Sequence, residues 1–186
     1  EAIAQVLLTA GADKEARNMN GSTPLHSAAL AGNEAVVRVL LAARVDKEAR
    51  DNLQATPLHD AALEGHETVA QILLTAGAEN EVKDEQQWTP LHFAASKGHE
   101  AVARVLLAAG AKVDKTVLAF AIANHHVKVA ALLKKRVDQQ NANRCLVCQI
   151  HTTLRCQRCE KAAFCGRVCQ KAGWKVQKQT CHSSVT

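Results

Sequence analysis

The sequence predicts a mainly α-helical protein in two parts, a helical repeat array followed by a small cysteine-rich, metal-binding module. The tetrapeptide Thr-Pro-Leu-His recurs at residues 23–26, 56–59 and 89–92, which is a period of 33 residues. Apolar residues make up 47% of the chain, mostly Ala, Leu and Val, and aromatic residues only 3%. All seven cysteines lie between residues 145 and 181. Short apolar side chains suit closely packed helices, and clustered thiols suit a metal ion.

Each repeat carries the start and stop signals of two short helices. The Thr-Pro of the tetrapeptide predicts an inner helix, with Thr as N-cap and Pro at the first helical position, where no donor is lost. An outer helix follows, because valine, isoleucine and leucine recur on one helical face at residues 36–41 and 69–74. Gly11, Gly77 and Gly110 predict left-handed caps after the outer helices. Arg44 replaces this glycine in one repeat, so its cap is expected to be strained or differently built.

The 33-residue period and its Thr-Pro-Leu-His phrase resemble the ankyrin repeat, and the resemblance covers residues 1–136. It implies an α-solenoid in which the tetrapeptide histidines form structural hydrogen bonds that tie neighbouring repeats. The predicted units are a partial first repeat, three full repeats and a shortened closing repeat, at residues 1–17, 18–50, 51–83, 84–115 and 116–136. The first unit contains only an outer helix, so we expect the natural protein to continue upstream.

Ankyrin repeats bind partners through variable positions on their concave side, at the finger tips and on the inner helices. The resemblance therefore implies a surface for a folded protein partner. The residues predicted to bind this partner are Met19, Leu53, Trp88 and Phe93. Exposed Trp and Met side chains are typical interface anchors. The alternative is that some of these side chains pack against neighbouring repeats.

The cysteines are spaced as zinc ligands are. They form the pairs Cys145-x2-Cys148, Cys156-x2-Cys159 and Cys165-x3-Cys169, followed by Cys181. A two-residue spacer lets both thiolates of a pair reach one tetrahedral zinc ion. A disulfide framework is the alternative, but an odd number of cysteines leaves one thiol unpaired. Free thiols are a third interpretation.

This spacing, with Gln170 and Trp174 after the sixth cysteine, resembles the MYND zinc finger over residues 145–181. The resemblance implies two cross-braced zinc ions. Their implied ligands are Cys145, Cys148, Cys165 and Cys169 at the first site, and Cys156, Cys159 and Cys181 at the second. The family has a histidine four residues before its last cysteine, where this chain has Gln177, so the second site is expected to be weak or incomplete. Its fourth ligand stays open between Gln177, His182, His151 and a water.

MYND fingers also bind short proline-containing peptides, which the resemblance assigns here to Gln157, Gln170 and Trp174. The charge of the module suggests nucleic acid as another partner, since residues 141–186 carry 8 basic residues and 1 acidic residue, against 15 and 17 in residues 1–140. Seven zinc-bound thiolates offset much of this positive charge, and the basic residues are scattered without an aromatic ladder. The sequence therefore argues against nucleic-acid binding.

These features together predict a monomeric, non-catalytic scaffold or adaptor, with a concave face for a folded partner and a finger for proline-containing peptides. Residues 137–144 are predicted to be a polar linker and residues 182–186 a tail. One alternative function is an interaction and regulatory fragment of a larger enzyme, such as a methyltransferase. The other is a nucleic-acid-associated transcriptional regulator.

The cellular surroundings follow from composition alone. No stretch approaches the ~20 apolar residues of a membrane span, so no membrane association is expected. Clustered thiols that bind zinc require a reducing compartment, which predicts the cytoplasm or the nucleus.

Overall fold

The structure, a computed structural model, describes residues 2–142, with side chains to residue 139. Within this range the chain forms nine α-helices and no strand, as the sequence predicts. The helices are α1 (Ala2–Thr9), α2 (Pro24–Leu30), α3 (Glu34–Ala42), α4 (Pro57–Glu64), α5 (Glu67–Thr75), α6 (Pro90–Lys97), α7 (Glu100–Ala108), α8 (Lys115–Ala123) and α9 (Val127–Ala142). None of these helices is both long and apolar enough to cross a lipid bilayer.

The helices form two layers. The inner helices α2, α4, α6 and α8 pack in sequence, and α1, α3, α5 and α7 pack in sequence as the outer layer. The core between the layers repeats with the sequence, since Leu25, Leu58 and Leu91 are all buried at equivalent positions of the inner helices. Their outer counterparts are also buried, at Leu73 and Leu106 among others. Each repeat therefore buries its apolar face only by stacking on its neighbours.

The predicted starts of the inner helices α2, α4 and α6 are confirmed. Thr23, Thr56 and Thr89 are extended N-cap residues, and a proline occupies the first helical position each time. At the other end of the repeat, Gly11, Gly77 and Gly110 adopt φ of 82°, 83° and 91° after the outer helices. Arg44 adopts φ 56° at the corresponding position, so the predicted strain of this cap is confirmed.

A second set of glycines sits where histidine rings press on the backbone. Gly32, Gly65 and Gly98 follow the inner helices with φ of 67°, 80° and 79°. A Cβ atom on any of them would lie 2.4–2.5 Å from the Nδ1 atom of a histidine ring in the next repeat. Only glycine fits here, because both the left-handed backbone and the close ring exclude a side chain.

The predicted polar linker begins inside a helix. Residues 137–142 continue helix α9 without a break. The physical reason is that residues 134–142 contain neither glycine nor proline, so nothing in this stretch ends the helix. Glutamine is also a good helix former, and an exposed position tolerates it.

Gly65 and Gly77 offer a matched test of the ring contact, because their φ angles of 80° and 83° are nearly the same. An added Cβ at Gly77 would lie 3.8 Å from its nearest neighbour, Lys47 Cε, whereas at Gly65 it would meet the ring of His99 at 2.5 Å. We expect Gly77→Ala to cost about 1 kcal/mol from the backbone alone. Gly65→Ala should cost about 3 kcal/mol, because the ring must also move. Urea unfolding measures both, and equal costs would contradict the expectation.

Candidate functional site

The predicted concave side corresponds to a surface that we call the finger face. It consists of the three finger turns at residues 18–22, 51–55 and 84–88 together with the exposed side of the inner helices. Two of the predicted partner-binding residues protrude from its finger tips, since Met19 is 98% exposed and Leu53 is 55% exposed. These side chains contribute little to the core and are available for contact with a partner.

Short side chains pin each finger internally. Asp51 Oδ1 accepts hydrogen bonds from the backbone N–H groups of Leu53 at 2.9 Å and Ala55 at 2.8 Å. Asn18 plays the same part in the preceding finger and Asp84 in the following one. Adjacent fingers are also joined through the backbone, because the N–H of Glu85 donates to the carbonyl of Leu53 at 2.9 Å. The finger tips are therefore held in place before any partner binds.

The other two predicted residues, Trp88 and Phe93, belong to an aromatic cluster on the finger face. The Trp88 ring lies 5.3 Å from that of Phe93 and 4.5 Å from that of Phe120, between ring centroids. It also stacks on His92 at 6.3 Å. Trp88 and Phe93 are half-buried, so each packs against neighbouring repeats on one side and keeps part of its ring accessible. Phe120 was not predicted because it lies outside the 33-residue period, in the shortened repeat.

The tetrapeptide histidines behave as structural residues. The N–H of Thr56 donates to His59 Nδ1 at 3.0 Å, which leaves the proton on Nε2, and this Nε2–H donates to the carbonyl of Trp88 at 3.1 Å. His26 repeats the arrangement with Thr23 and with the carbonyl of Ala55. Burial lowers the pKa of both imidazoles, so both are neutral at neutral pH. Neutrality suits the arrangement, because a protonated Nδ1 would point a hydrogen at another N–H.

A groove opens on the finger face between the first two fingers. Its volume is about 460 Å³, and its lining includes apolar, amide and carboxyl side chains. Among the lining residues are Asn18, Ser27, Leu30, Asp51, Leu53 and Asp60. The groove therefore combines apolar walls with two carboxyl groups.

Asp60 is the unusual group of this groove. Its carboxyl forms no hydrogen bond or ion pair with the residues that the structure describes. Burial, followed by the negative charges of Asp51 and Glu64, raises the pKa of Asp60 to about 7. Asp60 was not among the residues predicted to bind a partner. The available signal was its place in the repeat, where Ser27 and Phe93 are its equivalents.

The metal and peptide sites predicted for the cysteine-rich module lie outside the described residues. This holds for all seven cysteines and for Gln157, Gln170 and Trp174. The donor set fits zinc on chemical grounds, since thiolates are preferred zinc ligands. Between residues 2 and 142 no group of three or more His, Cys, Asp or Glu side chains could hold a metal ion.

Asp60 predicts a measurable pH dependence of stability. Folding raises its pKa from 3.8 to about 7, so between these values the unfolded chain loses a proton that the folded chain keeps. This difference lowers the stability of the fold as pH rises through the window. Asp60→Asn removes the titrating carboxyl and with it this loss of stability. The variant should therefore be clearly more stable than the wild type at pH 8 and nearly equal to it at pH 4. Urea unfolding at both pH values measures this, and a difference independent of pH would contradict it.

Comparisons with known families agree with this architecture. The family model for ankyrin repeats matches residues 1–84 and 73–144, and the model for the MYND finger matches residues 145–181. No curated protein matches the chain. Ankyrin repeats and MYND fingers are protein-interaction domains rather than catalytic ones, and MYND fingers in general bind zinc. Because the ankyrin model covers well over half of its residues, the chain belongs to the ankyrin-repeat family, and it also carries a MYND zinc finger.

Proposed function

We propose that this chain is a protein-interaction scaffold in which the finger face binds a folded protein and the MYND finger binds short proline-containing peptides. The observation that carries the proposal is the exposure of Met19 and Leu53 on fingers that are already fixed by hydrogen bonds. Because the backbone of these fingers is already fixed, it loses little conformational entropy when a partner binds. Trp88 and Phe93 extend this surface with the accessible parts of their rings.

The acidic residues of the finger face also favour a protein partner. Asp51 and Asp60 line the groove of the finger face and would repel a phosphate backbone, which favours protein over nucleic acid as the partner. The chain acts as a monomer without an enzymatic activity of its own, in the reducing surroundings of the cytoplasm or the nucleus.

The MYND finger supplies the second binding surface. Two zinc ions hold it, the first with Cys145, Cys148, Cys165 and Cys169, and the second with Cys156, Cys159 and Cys181. Gln170, Trp174 and Gln157 form the groove for a proline-containing peptide. Supporting this assignment are the match of the family model over residues 145–181 and the chemistry of seven clustered thiols.

The two surfaces should lose their partners independently. Truncating central anchors costs about 2 kcal/mol of binding or more, so Met19→Ala with Leu53→Ala should release the folded partner and keep the peptide. Trp174→Ala should do the reverse. Affinity capture from cell extract, with bound proteins quantified by mass spectrometry, measures both losses. Val127→Ala is the matched control, because it removes an apolar side chain that is 76% exposed from helix α9, away from the finger turns.

A common loss of both sets of partners in either variant, with an unchanged circular dichroism spectrum, would contradict two independent sites. So would full retention of the folded partner by the variant with both finger tips truncated.

The two zinc ions should differ in affinity, because the second set of cysteines lacks the histidine that Gln177 replaces. Native mass spectrometry during a chelator titration should show one ion leaving at a lower chelator concentration than the other. Gln177→His should restore a fourth ligand and delay that loss. Simultaneous loss of both ions, or no effect of the substitution, would contradict unequal sites.

A further inference from the structure

The repeats differ sharply in charge. Residues 51–83 carry six acidic residues and one basic residue, for a net charge of −5. The repeat before it, residues 18–50, carries three acidic and four basic residues, and the repeat after it, residues 84–115, carries four of each. The negative charge is therefore concentrated in the repeat that contains Asp60.

The fold does not need an acid at this position. Ser27 and Phe93 occupy the equivalent place on α2 and α6, and the inner helices pack in the same way around all three. The carboxyl of Asp60 has no partner among the described residues and is unfavourable to ionise. A group that costs stability without serving the fold is a candidate for a binding role.

The surroundings of Asp60 select the class of partner. Leu30 and Leu53 form apolar walls of the groove and are 45% and 55% exposed, while Asp51 adds a second carboxyl group. A cationic side chain with an apolar stem would satisfy both features. Arginine fits better than lysine, because its guanidinium is more weakly hydrated and pairs with a carboxylate through two hydrogen bonds.

Resting on the function proposed above, we propose that this groove of the finger face binds an arginine side chain of the partner protein, with Asp60 as its counter-ion. The negative charge of residues 51–83 attracts that partner.

A second contact follows from the geometry of the repeats. Phe93 stands one repeat beyond Asp60, and neighbouring inner helices are about 8–10 Å apart. An extended chain covers this distance in roughly three residues. The partner segment therefore carries arginine at one position and an apolar residue three positions away, which packs on the accessible side of Phe93 and Trp88.

Ionisation of Asp60 links this contact to pH. The charged groups that act on it are Asp51 in the finger and Glu64 on α4. His26 on α2 also lines the groove, and burial keeps its imidazole neutral. No charged side chain of α5 or α6 shifts the pKa of Asp60. Arginine binding should accordingly strengthen as the pH rises from 6 to 8.

The test uses the whole chain and a defined set of peptides. Each fluorescent ten-residue peptide carries one arginine and one leucine in a Gly-Ser background, with the two separated by one to six positions, and anisotropy gives its affinity. The peptide with a separation of three should bind best, and its affinity should increase several-fold between pH 6 and pH 8. Replacing its arginine by neutral citrulline, or using Asp60→Asn, should weaken binding about tenfold and remove the pH dependence.

A charge-matched variant controls for long-range attraction. Ser27→Asp combined with Asp60→Ser keeps the net charge but moves the carboxyl by one repeat, away from Phe93. The preferred separation between arginine and leucine should then lengthen to about six positions, because the distance to the aromatic cluster doubles. An unchanged preference in this variant would overturn the proposal.

The remaining outcomes are also decisive. If none of the peptides binds, or if citrulline and Asp60→Asn leave the affinity unchanged, the groove is not an arginine site. If partner capture is lost on truncation of Met19 and Leu53 but unaffected by Asp60→Asn, the scaffold function stands and this inference falls. If capture survives truncation of both finger tips, the scaffold function itself falls.

Discussion

Two histidines in each central repeat carry the hydrogen bonds on which the array depends. The tetrapeptide His59 reaches forward from its own N-cap to the carbonyl of Trp88 in the next finger. The second histidine, His66, reaches back to the carbonyl of Leu30 at the end of the previous inner helix, at 3.0 Å. The backward bond satisfies a carbonyl at a helix end that has no partner within the helix, and the forward bond ties two repeats together. The neutral imidazole can do this because its two nitrogens differ, one accepting and the other donating.

This pair of bonds dictates other features of the sequence. The ring of the second histidine lies against the glycine that ends the preceding inner helix, which is why no side chain fits at Gly32, Gly65 or Gly98. The forward bond fixes the last residue of the next finger, so each finger tip has the same position relative to the inner helix of the preceding repeat. Where the closing repeat lacks a finger, His92 bonds instead to the hydroxyl of Thr116 at 2.7 Å. The ring of Phe120 in this closing repeat lies 4.5 Å from that of Trp88, between ring centroids.

A scaffold of this regularity makes departures from the repeat informative. Most positions are explained by the stacking of one repeat on the next, as the buried leucines show. The stacking of repeats does not explain Asp60, because a serine and a phenylalanine occupy the equivalent positions of the neighbouring repeats. Its surroundings also disfavour the ionised carboxyl. Met19 is a second departure, being an almost fully exposed apolar side chain. Both lie on the finger face, and a partner would explain each of them.

The sequence by itself determined the helical solenoid, its capping and the presence of a zinc-binding type of module, because these depend on local signals that recur at a fixed period. It also predicted the strained cap at Arg44, since a missing glycine is visible without coordinates. It did not indicate that residues 137–142 of the predicted linker are helical, although nothing in this stretch stops a helix. Only the tertiary structure decided that Trp88 is half-buried among Phe93 and Phe120 and that Asp60 lies in a groove without a partner. The physical reason is that burial and the pKa of a carboxyl depend on side chains from neighbouring repeats, which are distant in sequence and meet only when the array is stacked.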